Sequence, residues 1–270
     1  MPQRPTPEAS STWRYLEAIG VSQLPPRCVA FDPGYDPATV ESHLEQSGHL
    51  MSSLKLSMAC WQVAVESATR RKIAAAKKMG VPISTGGGPF EVAAHFSKVD
   101  EYLDLCAELG VTRIEAGEGF IKTGLDPSAI VALAQSRGLE VQYEVGEKHS
   151  GALTPEGLQE VIEIGRSWLD AGAKQLVVEA RESASNVGLF DAQGSLNLGA
   201  ADRLAETFGL SALVFEAPNK PSQFAFMRHF GPEVELCNVR LEEVLRVEIY
   251  RRGLHSDAFQ HEVLRPRGPK

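Results

Sequence analysis

The sequence predicts an α/β fold, a single (β/α)8 TIM barrel with an N-terminal leader helix, on three observations. Eight short aliphatic or β-branched runs recur along the 270 residues, helix-period segments separate them, and each repeat is close to the length of one βα unit. At 29.3 kDa the chain is within the size over which one such barrel closes. Strict β-α alternation implies parallel strands, and eight units favour closure over the rival open, doubly wound sheet.

Each element has its own justification. The stretch MPQRPTPEASST at 1–12 holds three prolines and no apolar core, so it reads as a flexible segment and not as a secretory signal. An amphipathic leader helix follows around Trp13 to Ile19. The strand runs are RCVAFD ending at Asp32, SSLKLS at Ser57, VPIST at Thr85, RIEAG at Gly117, EVQYEVG at Gly146, QLVVEA at Ala180, LVFEA at Ala217 and EVELCNV at Val239. Their ends lie 25, 28, 32, 29, 34, 37 and 22 residues apart. Between them, Asp36-Pro37 and Asp126-Pro127 supply an N-cap followed by proline at the first helical position, and Gly48 and Gly138 act as stops. From Thr154 to Gly172, the residues Leu158, Val161, Ile162, Gly165, Trp168 and Leu169 fall on one face, as a helix lying on a barrel requires. The barrel is placed at 13–260, and HEVLRPRGPK at 261–270 reads as a polar tail.

Composition limits the partners. A formal net charge of -8 repels nucleic acid and does not recommend an anionic membrane surface. No run approaches the length of a membrane span. Cys28, Cys60, Cys106 and Cys237 are scattered and form no CxxC pair, which suits free thiols in a reducing compartment. The expectation is a cytoplasmic protein that captures a small anionic substrate with local cations and associates with copies of itself. No dinucleotide fingerprint or GxxxxGK[ST] loop occurs, and GGG at 86–88 matches neither phosphate motif.

In a barrel the strand C-termini and the loops beyond them form the catalytic rim. Here the rim carries Asp32, Lys55, Glu115 with Glu118, Glu144 with Lys148, Glu179 with Arg181 and Glu182, Glu216 with Lys220, and Asn238. Glu115, Glu144, Glu179 and Glu216 interrupt apolar runs, where a lone buried carboxylate costs about several kcal/mol unless paired or metal-bound. Four converging glutamates call for lysine, arginine or a hard divalent ion such as Mg2+. Lys55, Lys148, Arg181 and Lys220 come from four different βα units and together could bind a phosphorylated carboxylate. Arg181 suits bidentate recognition of a planar anion, and Lys148 is the preferred acid-base group, its pKa expected to fall between other cations.

The strings EVGEK at 144–148, EARES at 179–183 with GLFD at 188–191, FEAPNK at 215–220, and RRGL at 251–254 with Asp257 and Phe259 resemble the phosphosulfolactate synthase family of coenzyme M biosynthesis. The resemblance extends back to about Cys28. It implies a magnesium-dependent lyase or synthase in which sulfite adds to the methylene carbon of phosphoenolpyruvate. On this reading Lys148, Lys55 and Arg181 are catalytic, Lys220, Asn238, Gly87 and Gly88 bind substrate, and Glu144, Glu179 and Glu216 hold the metal or position the lysines.

The chain also departs from that pattern. Typical members resemble VKFGWGTS where this chain reads LKLSMACW at 54–61, GGT where it reads GGG, ISDG where it reads AGEG at 116–119, and GKK where it reads GEK; Glu235 stands where asparagine is common. The loops after strands 2 to 4 are thereby altered, with Cys60 and Trp61 as candidates to line a changed pocket. This motivates the alternative of a non-catalytic, stress-associated binding protein that reuses the barrel.

Overall fold

In a computed structural model, residues 10–266 and 268 are described. Residues 1–9 of the expected flexible segment lie outside them; Ser11 already opens helix α1 (Ser11–Ala18), where the Ser10 side chain accepts the Trp13 N–H. Trp13 is buried, so the leader packs on the barrel through this side chain, while Tyr15 stays exposed.

Eight parallel strands close on themselves in sequence order: β1 (Cys28–Asp32), β2 (Met51–Leu56), β3 (Ile83–Thr85), β4 (Arg113–Gly117), β5 (Glu140–Val145), β6 (Gln175–Val178), β7 (Leu213–Glu216) and β8 (Glu235–Arg240), with β8 pairing back to β1. Each expected run holds one strand. The main helices between and after them are α2 (Pro37–Ser47), α4 (Glu66–Lys78) with the short α3 (Cys60–Val63) before it, α5 (Gly87–His95), α6 (Val99–Leu109), α7 (Pro127–Gln135), α8 (Pro155–Asp170), α9 (Leu198–Phe208), α10 (Lys220–Phe230), α11 (Val244–Arg251) and α12 (Ser256–Phe259). Asp36 and Asp126 accept backbone N–H groups at the starts of α2 and α7, as their Asp-Pro pairs predict. On α8, Val161, Ile162, Gly165 and Trp168 are buried, and Trp168 stacks on Tyr143 of β5 with ring centroids 4.1 Å apart. A Cβ at Gly165 would stand 2.7 Å from Leu176 Cδ1, so glycine sets how closely α8 approaches the sheet.

The barrel interior is layered. At the N-terminal end Arg113 reaches Gln142 at 3.4 Å, Gln175 at 3.2 Å and Glu140 at 2.8 Å, and Gln175 donates to Glu235 at 3.0 Å. Glu235, one of the departures from the family pattern, therefore belongs to the end opposite the mouth. Above this lies an apolar plug of Val29, Val177, Val214 and Cys237, and above the plug the interior turns ionic. The strand period of two places Lys55, Glu115, Glu144 and Glu216 on this inner face.

The expected tail is not merely polar. Leu264 is 5% exposed and packs in the main core, and a Cβ on Gly253, at φ +70°, would meet the Leu264 carbonyl oxygen at 2.1 Å. Replacing Leu264 by alanine should lower stability in urea unfolding by about 2–5 kcal/mol, the range for a buried leucine; an unchanged midpoint would place the segment outside the cooperative fold.

Candidate active site

The strands deliver their ionic side chains to a cavity of about 650 Å³ at the C-terminal mouth. Its lining includes Lys55, Gly87, Gly88, Glu144, Lys148, Glu179, Arg181, Glu216 and Asn238, so nine of the ten residues picked from the sequence share one space. Lys220 is the exception. It occupies the first position of α10, where Asn219 caps the helix, and its ammonium extends to Asp257 at 3.3 Å and over the Phe224 ring at 5.1 Å. The helix start points it outward, away from the cavity lining.

Two lysines organise four carboxylates. Lys55, buried, stands 2.9 Å from Glu115 and 3.4 Å from Glu216. Lys148 sits in close contact with both Glu144 and Glu179. The carboxylates are held in turn: Glu115 accepts from the Gly87 N–H at 2.8 Å and from Gln142 at 2.8 Å, Glu216 accepts from the Ala180 N–H at 2.9 Å, and Glu179 accepts from the Arg181 N–H. Glycines make room. A Cβ at Gly119 would lie 3.0 Å from Glu144 Oε1, and one at Gly146, where φ is +111°, 3.1 Å from Glu179 Cβ.

The titrations follow from this crowding. Burial pushes the Glu115 carboxyl up to about 7 against the pull of Lys55, and burial with the charges of Glu216 and Glu144 pushes Glu179 up to about 10. Glu144 stays below the usual carboxylate range because Lys148 and Lys55 overcome its burial. Lys148 is raised, not lowered as the sequence suggested, because the groups flanking it are the carboxylates of Glu144 and Glu179 and not cations; these outweigh its burial.

Four carboxylates facing two ammonium groups leave an excess of two negative charges, which two protons or one divalent cation would balance. The donors are all carboxylate oxygens, the ligand type of Mg2+. Among the described residues no three acidic, cysteine or histidine groups stand together as a formed metal cage, since each lysine lies between its carboxylates. In charge and donor type these carboxylates suit Mg2+, whereas their arrangement around the two lysines does not bring three of them together.

Arg181 is placed differently. Its guanidinium donates to the Lys148 carbonyl oxygen at 3.4 Å, and it borders the cavity without a carboxylate partner among the described residues. Arg181, Asn238 and Met58 all line the cavity with positive φ, of 54°, 57° and 43°, a sparsely populated conformation for such residues that clusters at functional sites. Among the described residues the buried Asn238 Oδ1 has no partner.

The sequence places Glu115 on the rim with the other three glutamates but assigns it no role, and the structure shows it as the partner of Lys55. Sequence reasoning also gave weight to residues that the fold turns aside. Asp32 is locked to Lys72 at 2.7 Å, and Glu118 holds the Thr123 and Gly124 backbone. Cys60 donates to the Pro33 carbonyl at 3.2 Å and Trp61 is buried near Tyr102; neither lines the cavity.

Residues 27–257 match the model of the (2R)-phospho-3-sulfolactate synthase (ComA) family. The chain is 33% identical over 232 residues to the phosphosulfolactate synthase of Methanocaldococcus jannaschii, covering 86% of this chain and 92% of that protein. It is 28% identical over 235 residues to the phosphosulfolactate synthase of Methanothermobacter thermautotrophicus (86% and 90% covered) and 30% identical over 190 residues to that of Bacillus subtilis (70% and 75% covered). Among solved structures it is similar to 3-dehydroquinate dehydratase from Geobacillus kaustophilus, with TM-score 0.54, 11% identity and 84% and 91% of the chains covered. It is likewise similar to a putative fructose-1,6-biphosphate aldolase from Coccidioides immitis, with TM-score 0.52, 13% identity and 94% and 88% covered. At such identities these two structures speak for the fold alone.

Replacing Lys55 by methionine would leave Glu115 and Glu216 buried without their cation, a loss of about 3–5 kcal/mol for a broken buried pair. A carboxyl whose folded pKa is raised destabilises the fold as pH climbs above its unfolded value of 4.5, through about 7 for Glu115. The Lys55→Met penalty in urea unfolding should therefore be largest at pH 8 and shrink as pH falls towards 5; a pH-independent penalty would contradict the pairing.

Proposed function

Since this chain belongs to the (2R)-phospho-3-sulfolactate synthase family and is an enzyme of the lyase or synthase type, we propose that it adds a sulfur nucleophile, with sulfite as the reference substrate, to phosphoenolpyruvate or a related enol phosphate. Family membership weighs for catalysis over the binding-only alternative. The observation that carries the proposal is the juxtaposition, in one cavity, of a lysine held between two carboxylates and an arginine with no carboxylate partner.

The sulfur lone pair attacks the methylene carbon, the double-bond electrons move to the carbon bearing the phosphate and carboxylate, and that carbanion takes a proton. Lys148 is the donor. Glu144 and Glu179 keep it an ammonium and aim its Nζ, and with its side chain 22% exposed it recovers a proton from solvent. Arg181 binds the substrate's carboxylate or phosphate with a planar pair of donors and stabilises the charge that develops. The N-terminal end of α5 at Gly87 and Gly88, with Asn238 across the mouth, borders the same anion. Mg2+ held by Glu144, Glu179 and Glu216 would supply positive charge next to the carbanion and take up the two negative charges the lysines leave unmatched. Lys55 keeps Glu115 and Glu216 in register beneath the substrate.

Purified protein incubated with phosphoenolpyruvate, sulfite and Mg2+ should give a new phosphate ester by phosphorus NMR. Lys148→Ala should reduce turnover by about 10²–10⁴-fold, Arg181→Lys should raise KM for the enol phosphate, and a chelator should abolish turnover until Mg2+ is restored. Absence of both turnover and phosphoenolpyruvate binding would remove the reading.

A further inference from the structure

The floor of the mouth cavity and its β5 to β7 side are ionic, whereas the loops after β2 to β4 add a largely apolar wall of Met58, Ala59, Pro89, Val92 and Phe120, with Ser57 and Gln62 as its polar side chains. Met58 is 52% exposed, and Val92 and Phe120 are each 44% exposed. Large apolar groups left in water around a cavity mark a surface that a ligand covers.

Two features show that this wall is built at a cost in free energy. Met58 holds a left-handed φ of 43°, a conformation unfavourable for a side chain of its kind. The backbone carrying Phe120 is clamped by Glu91 of α5, whose Oε2 accepts the Phe120 N–H at 2.9 Å and the Ile121 N–H at 3.0 Å. Glu91 is fully buried, and its other oxygen has no partner. Sulfite, a compact dianion, meets side-chain donors among these loop residues only at Ser57 and Gln62, and loses water against the five apolar ones.

We propose that the nucleophile this enzyme adds to its enol phosphate carries an apolar organic body, as an aromatic thiolate does, with the sulfur at the ionic half and the body on the Met58, Val92 and Phe120 wall. This rests on the addition chemistry proposed above. The thiol loses its proton to solvent before binding. The S–C bond forms at the methylene carbon as the C=C π bond breaks, the electron pair goes to the neighbouring carbon, and the Lys148 proton ends there; the product is a thioether with its phosphate intact, and nothing is oxidised or reduced.

Full-length protein with Mg2+ and phosphoenolpyruvate is offered thiophenolate or sulfite, singly and in competition, and followed by phosphorus NMR. The expected result is a kcat/KM for thiophenolate at least about tenfold above that for sulfite, the scale of discrimination an apolar pocket supplies. Phe120→Ser should cut that preference about tenfold, mainly through KM for the thiolate, and Val92→Ser, on a separate element, should move it the same way. Sulfite preferred over thiophenolate, or serine variants that lower both substrates equally, would overturn the inference while leaving the addition to phosphoenolpyruvate standing. No turnover with either nucleophile and no binding of phosphoenolpyruvate would overturn both.

Discussion

Charge balance inside a closed barrel is the constraint on which this molecule turns. Each lysine in the mouth stands between two glutamates, those of Lys55 delivered by β4 and β7 and those of Lys148 by the ends of β5 and β6, and removing any member strands its neighbours in a low-dielectric interior. The strands must therefore reach the same height, and the loops that leave them must stay out of the way. That is why small residues recur there: Gly119 and Gly146 lie where a Cβ would press on Glu144 and Glu179. The remaining negative excess is as informative as the pairs, because a site that takes the proposed anion cannot keep it. Burial and crowding raise the affinity of Glu115 and Glu179 for protons, and a divalent cation would balance the same excess.

Much of the architecture was legible because closure imposes a repeat, and the repeat survives in the spacing from Asp32 to Val239. The carboxylates were legible for a different reason: a charge within an aliphatic strand is costly unless it has a partner. What could not be read depends on direction and neighbourhood. Lys220 belongs to a string that otherwise runs into the mouth, yet four residues past the end of β7 the helix start turns it to Asp257. The shift of Lys148 took the opposite sign from the sequence argument because the strands place carboxylates against it. Leu264 sits in a segment dominated by polar residues and prolines, where one leucine gives no periodic signal.

The distribution of unusual sequence over the mouth now has a structural counterpart. Strings that follow the family pattern surround Lys148 and Glu179, whereas LKLSMACW and AGEG lead into the loops bearing Met58 and Phe120. Of the altered residues, Cys60 and Trp61 went to packing, and Met58, next to them, took the place beside the cavity. Chemistry common to the family and a pocket particular to this chain can occupy opposite sides of one barrel because they are carried by different βα units.

The network of Arg113, Gln142, Gln175 and Glu235 at the far end has a further consequence. Sliding β4, β5, β6 or β8 by a single residue would flip its member of this network to the outside and leave the others unsatisfied. Strand alignment is thus secured remotely from the loops, like threads tied off at the back of a cloth. Insertions or exchanges at the front can then alter what the enzyme accepts without unpicking the weave that keeps its lysines level.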